Sequence, residues 1–508
     1  MKNMTKFGVS VMALAMASGA SAQATGPGNT STVTQTGNRE EAIVTQSGVG
    51  TNINTIEQRG RDNDATVTQT SAAGGANSST IRQTSAADVN DATVTQNGEG
   101  NQSEITQAGN NSGVTVSQDG TDNVSTVEQD SNFASTTVTQ TGNANSSDVD
   151  QTGNLAIITV TQNNGEAADE GNTSTVMQSG TAAIINVDQE GQRNLSTINQ
   201  SGSGALINVT QDGVDNDSDV SQTGSLAIVN VTQDGNRNDS DVIQASSLMT
   251  VDVIQEGDDN VSITDQRAAG ILTDTADVDV TQTGNRNRSD VRSVANASEV
   301  AVTQTGDDNQ AEVDQNAANI RFGFTAPPVL NENQDATVIQ SGNENTARID
   351  QYGRNQVASI TQIGDRNASG VPGAGGAVGI TQVGENQEAR LNQTGNGNSS
   401  LIEQGTSDAN RALITTSSSD GNFAEVNQFG DDGESTVRQN GDLNDAFLNQ
   451  GGVDNVSTIL QDGNRNLANV GQGGTGDLST VSQTGNSNIA NVSQNIGGGI
   501  GIPMDPNR

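Results

Sequence analysis

Glutamine is the residue whose spacing could do chemistry in this sequence. From Gln178 it recurs at Gln189, Gln200, Gln211, Gln222, Gln233, Gln244, Gln255 and Gln266, eight consecutive steps of 11. Gln107, Gln118, Gln129, Gln140, Gln151 and Gln162 form another such run, and Gln428 to Gln494 a third; in all, 37 Gln hold this place between Gln35 and Gln494. A carboxamide both donates and accepts, so a regularly spaced series can hydrogen-bond to copies of itself above and below. Bond-breaking chemistry lacks its usual agents. With no Cys and no His, thiol nucleophiles, disulfides, imidazole bases and the common zinc ligands are absent together.

Three other patterns could carry chemistry. Asp215-Asn216-Asp217-Ser218-Asp219 starts like a calcium loop, but Val220 stands where such a loop needs Gly and no Glu completes it, so it reads as an acidic turn. Thr66-Val67-Thr68, Thr93-Val94-Thr95 and Thr137-Val138-Thr139 put paired threonines on an outward face, the spacing of some ice-binding solenoids. Because other units carry Asp, Asn, Glu or Arg there, no flat Thr surface is expected. Carboxylates occur throughout, and repetition without a unique pair argues against a glycosidase. No enzyme activity, metal or cofactor is expected. The 61 acidic against 21 basic residues, a net charge of −40, argue against nucleic acid as a partner, since phosphate binding needs clustered Lys and Arg.

The elements that must position the glutamines follow from the unit itself. It reads Gln-x-Gly-x-x-Asn-x-Ser-x-Val-x-Gln, as in Gln118 to Gln129. Ser125, Val127 and Gln129 alternate with Thr126 and Glu128, the period of a strand with one face in and one face out. The Gly and Asn positions tolerate positive φ and make the turns. A longer period overlies the first: Asn194 and Ser196 give way to Ala205 and Ile207, return as Asn216 and Ser218, change again to Ala227 and Val229, and recur as Asn238 and Ser240. The structural repeat is therefore 22 residues, two strands and two turns. Three or four inward aliphatic side chains contribute roughly 6 to 8 kcal/mol, against about 1 to 2 kcal/mol of backbone entropy per ordered residue. One coil cannot fold alone. Stacked in register, coils gain ladder hydrogen bonds, so the expected fold is all-β: a β-solenoid of about 18 or 19 stacked strand-turn-strand-turn coils with an amyloid-type ladder. Gln107 to Gln151, Gln178 to Gln233, Asn194, Asn216, Asn238 and the turn glycines Gly191, Gly213 and Gly235 are its expected structural ladder.

Residues 1–22 read as a secretory signal peptide, with basic Lys2 and Lys6, an apolar run Phe7 to Ala17 too short to span a bilayer, and Ala20-Ser21-Ala22 as the cleavage site. A short linker, 23–30, precedes a first strand at Ser31. Repeat solenoid is expected over 31–315, a loop insertion with Phe322, Phe324, Pro327 and Pro328 over 316–333, continued solenoid over 334–494 and a Gly/Pro-rich tail over 495–508. Gly370 to Gly379 and Thr406 to Asn422 read as further looped-out interruptions. Ser293 stands at a ladder place, so one layer should lack its amide pair.

Ser112, Gln118, Gly120, Asn123, Ser125 and Gln129 fall on the six places of a known consensus, Ser-x5-Gln-x-Gly-x-x-Asn-x-Ala-x3-Gln, with Ser125 where that family prefers Ala. Asn488 and Ala490, between Gln483 and Gln494, match its second half with Ala itself. The chain thus resembles the curlin repeat of curli, the bacterial extracellular amyloid fibres, over nearly the whole length beyond residue 22. The resemblance implies a secreted structural protein at the cell surface, exported through the periplasm, which polymerises with itself into biofilm fibres that mediate adhesion. It also implies a nucleator subunit and an outer-membrane secretion pore as partners; from the sequence itself no membrane anchor beyond residues 1–22 is expected. Two departures stand out: this chain has several times the usual number of repeats, and only Gln23 to Thr30 occupy the place of the family's sorting segment. The alternative reading is a monomeric, surface-displayed solenoid adhesin or carbohydrate-binding rod using the segment around Phe322.

Overall fold

The computed structural model describes residues 20–25, 28–71, 75–84, 89–165, 170–245, 247–267, 276–294, 297–315, 332–369, 379–405 and 408–495. The chain divides into two units, Met1–Ser246 and Ser247–Arg508. Each is a parallel β-solenoid without helix among its described residues, and together they hold about 19 coils.

In the first unit every strand pairs with the next but one, because the Gly- and Asn-containing turns send alternate strands to two separate ladders. Gly113–Thr121 lies on Ser135–Asn143 with Gln118 beside Gln140 and Gly120 beside Gly142. Val124–Gln129 lies on Ser146–Gln151 with Val127 beside Val149 and Gln129 beside Gln151. Like stacks on like at an offset of 22, which is why the sequence alternates with that period. The inward face of each ladder is fully covered: Val116, Val138 and Val160 from one and Val127, Val149 and Val176 from the other are at most 1% exposed. The outward residues between them stay half-buried or exposed, as Thr126 and Glu128 do.

The second unit repeats the plan around its insertions. Glu299–Thr305 pairs directly with Glu332–Ser341, Gln304 beside Gln340; residues 316–331, the bulk of the expected insertion, lie outside the described residues. Thr346–Ile363 is a continuous extended run that serves both ladders, pairing with Ile380–Glu385 through its first half and with Glu388–Asn396 through its second.

Four boundaries differ from the sequence reading. A strand, Ala20–Thr25, precedes Ser31 and pairs with Glu41–Gly48. It crosses the expected processing point and takes in residues 23–25 of the expected linker; Ala24 sits beside Gln46, so the Gln marker gave no sign of it. Glu332 and Asn333 belong to a strand rather than to the insertion, because Gln334, buried at a corner, holds the place that Asn takes in other coils. Thr406 to Asn422 is not looped out: Arg411–Asp420 is a strand paired with Glu388–Asn396, with Thr416 beside Gln393. Threonine at the ladder place and a register shift after Gln393 concealed that coil. Asn495 is described, hydrogen-bonded to Asp477; Phe322, Phe324, 370–378 and the tail from 496 lie outside the described residues.

Candidate functional site

The feature with most chemical content is a lattice of buried carboxamides. In the first unit two Gln columns run along the stack. In one, Nε2 of Gln118 donates to Oε1 of Gln140 at 2.8 Å, Gln140 to Gln162 at 2.8 Å, Gln189 to Gln211 at 2.8 Å and Gln211 to Gln233 at 2.8 Å. In the other, Gln107 donates to Gln129 at 3.0 Å, Gln129 to Gln151 at 2.7 Å, Gln178 to Gln200 at 3.1 Å and Gln200 to Gln222 at 3.0 Å. These amides also donate to backbone: Gln211 reaches Leu195 O at 2.8 Å, and Gln151, which makes no bond to Gln178 Oε1, reaches Ala156 O at 3.0 Å. A side chain that is a strand residue thereby closes the turn beside it.

An asparagine column completes the lattice. The backbone N–H of Asn194 donates to Oδ1 of Asn172, that of Asn216 to Asn194 and that of Asn238 to Asn216, at 3.0 to 3.1 Å. In the other direction Nδ2 of Asn194 donates to Gly213 O at 3.1 Å and Nδ2 of Asn216 to Gly235 O at 2.9 Å. The glycines are forced by this approach. Gly191 and Gly213 have φ of 101° and 121°, and a Cβ on Gly213 would lie 1.8 Å from Gly235 O; Gly235 has the same left-handed φ, 125°.

At two ladder places of the second unit another residue replaces glutamine. Ser293 sits between Gln266 and Gln315 and donates to Gln315 Oε1 at 2.9 Å, while Gln266 turns to Ala276 O. Thr416 sits between Gln393 and Gln439, and neither its hydroxyl nor Oε1 of Gln439 has a partner among protein atoms. A buried Ser column, including Ser174, Ser196, Ser218 and Ser240, also leaves its hydroxyls without protein partners.

The residues of the calcium-like segment do not converge. Asn216 and Ser218 point inward and are buried, Asp217 and Asp219 lie on the outer face beside Asp239 and Asp241, and Asp215 is held by Arg193. That last contact belongs to a feature the sequence reading missed. The corner residue before Asn194, Asn216 and Asn238 is left-handed, with φ of 55° at Arg193, 60° at Asp215 and 57° at Arg237. Arg193 grips Asp215 through Nε and Nη2 at 2.5 and 2.6 Å, and Arg286 grips Asp308 at 2.7 Å twice. Opposite charges 22 residues apart were the available signal. The guanidinium hydrogen bonds hold the Asp215 and Asp308 carboxyls below their usual range.

Acids elsewhere move the other way. Burial first, then Asp239 and Asp219, raises Asp217; burial, then Asp252, Asp277 and Glu299, raises Asp279. Burial pushes Asp350 up to about 6 against the pull of Arg348, with Asp314 and Glu312 adding to the rise.

The outer face of one ladder in the first unit overturns the expectation about threonine. Since alternate units go to different ladders, Thr66, Thr93, Thr115, Thr137 and Thr159 stack in one column, and Thr68, Thr95, Ser117, Thr139 and Thr161 in the next. The Asp, Glu and Arg that interrupt the pattern along the sequence lie on the other ladder over these five coils.

Comparison with known proteins bears on this architecture. The family model described as Curlin associated repeat matches at four places, residues 88–120, 184–213, 332–370 and 463–495. No curated protein is matched by the chain. Each of the four matched segments contains ladder glutamines and at least one corner of the lattice.

Proposed function

The chain is a curlin-repeat protein, and on that footing we propose that it is a secreted subunit that self-assembles into curli-like amyloid fibres of a biofilm matrix, serving adhesion and aggregation. One observation carries the reading: like inward residues stack on like in parallel and most ladder amides donate to the coil beyond them, so a coil is a template for a further coil of the same kind. In the last described coil, Leu478–Thr484 and Ile489–Gln494, the strand Ile489–Gln494 has no residue fully buried, unlike its counterparts deeper in the stack. A coil from a second copy would cover Ala490, Val492 and Gln494 as Leu467–Gln472 is covered by Ile489–Gln494. Residues 1–22 serve in this proposal as the export signal, and a nucleator and an outer-membrane pore are the expected partners.

Incubation of purified, dilute protein tests the proposal. Thioflavin-positive fibres visible by electron microscopy, seeded by preformed fragments, are the expected result. Monodisperse particles that neither grow nor seed would overturn it in favour of a monomeric adhesin.

A further inference from the structure

We propose that the two threonine columns of the first unit form an ice-binding surface. The proposal rests on their two-dimensional regularity. Along the stack, hydroxyl-bearing residues repeat at the strand separation of about 4.8 Å, and across it Thr137 and Thr139 repeat at the two-residue advance of about 6.7 Å. Both spacings lie close to oxygen repeats on the faces of hexagonal ice. Five successive coils hold the pattern without a break in register, a patch about 20 Å long.

The side-chain chemistry fits such a partner. A threonine hydroxyl can take the place of one lattice water while its methyl group fills the gap beside it, and β-branching restricts χ1, so little freedom is lost on contact. Charge would defeat the match, because an ionised group keeps a hydration shell of its own. In a chain of net charge −40 these two columns contain no charge. The nearest acids border them, Asp64 and Asp91 on one side and Asp119 on the other, and Asp188 follows Thr161 in the next coil. The corresponding outer face in the second unit carries Asp252, Asp279 and Arg390 and makes no such array.

Full-length protein, soluble and as fibres, should shape ice crystals and inhibit ice recrystallisation in a nanolitre osmometer. Thr115→Lys with Thr137→Lys should abolish both effects, while Thr126→Lys with Thr175→Lys, on the other ladder's outer face, should leave them intact. All four side chains point outward, so circular dichroism and fibre growth should not change; this separates the proposal from the assembly reading. Should the double variant misfold, Thr137→Lys alone serves. Wild-type protein without effect on ice, array variants as active as wild type, or equal loss in the control pair would each overturn the assignment.

Discussion

At the scale of single residues, the lattice turns small chemical differences into large ones. Gln211 accepts from Gln189 and donates to Gln233 and to Leu195 O, so Gln211→Leu should keep the coil shape yet cost about 2 kcal/mol by leaving buried partners unmatched. Urea unfolding reads this directly, and a lengthened lag in fibre growth should accompany it. Serine behaves oppositely. Ser218 is 0% exposed and its hydroxyl has no protein partner, whereas Ala424, Ala446 and Ala468 fill the equivalent inward place in the second unit. Ser218→Ala should therefore be neutral or stabilising by up to about 1 kcal/mol. Glycines separate in the same way. Gly213→Ala, with a left-handed φ and a carbonyl in the path of the new methyl, should cost at least about 2 kcal/mol, but Gly113→Ala meets nothing within 4 Å and should stabilise by about 0.5 kcal/mol. A thermal midpoint that fell equally for both glycines would contradict this account.

Elements were legible in the sequence wherever glutamine marked them, and illegible where another residue took its place. The alternation of Ser125, Val127 and Gln129 was enough to fix strand, face and register, because an error of one residue would have put Val127 in water. Ala24 and Thr416 hid two strands for lack of the marker. The Thr columns were invisible for a different reason: units adjacent in sequence occupy different ladders, so a face is composed of every second unit, and reading consecutive units mixes two faces. Arg193 and Asp215 escaped notice likewise, their pairing being between coils rather than along the strand. The insertion makes a prediction at this scale. Gln315 and Gln334 need four intervening residues to match the turn between Gln304 and Asn309, so replacing 316–331 by two residues should preserve β content and fibre growth. Deleting 316–333 outright should not, since it destroys that turn and pulls Gln334 from its contacts with Gly353 and Gln356. Circular dichroism and sedimentation of the two deletions decide it.

For the molecule as a whole, the acids set a dependence on pH. Asp64, Asp217, Asp279, Asp335, Asp350 and Glu403 are all raised, burial being the first cause in each. A carboxyl raised by folding binds its proton more tightly in the folded state, so its contribution to stability is full below the unfolded value and lost as pH climbs through the folded one. For Asp350 the window runs from 3.8 to about 6. Stability should fall between about pH 4 and pH 6, and Asp350→Asn should flatten that slope in urea titrations at both ends. Assembly should follow the same direction, with the lag shortening towards pH 4 and on adding salt, as neighbouring like charges in stacked coils are neutralised or screened. A lag that lengthens on acidification would show the carboxylates to be making contacts that assembly requires.

The offset of 22 residues between stacked partners has a kinetic consequence. However many coils a unit contains, most of its contacts join residues one coil apart, so the relative contact order of a chain of 508 residues is only about 0.04, lower than that of many helical bundles. Loop closure, the slow step for ordinary β proteins, is here a short and constant cost repeated coil after coil. A nucleus formed anywhere can extend by adding one coil at a time, and it need not await the rest of the chain. Length therefore adds little to the folding barrier, and a polypeptide delivered end-first can zip into its final form at the rate at which it arrives.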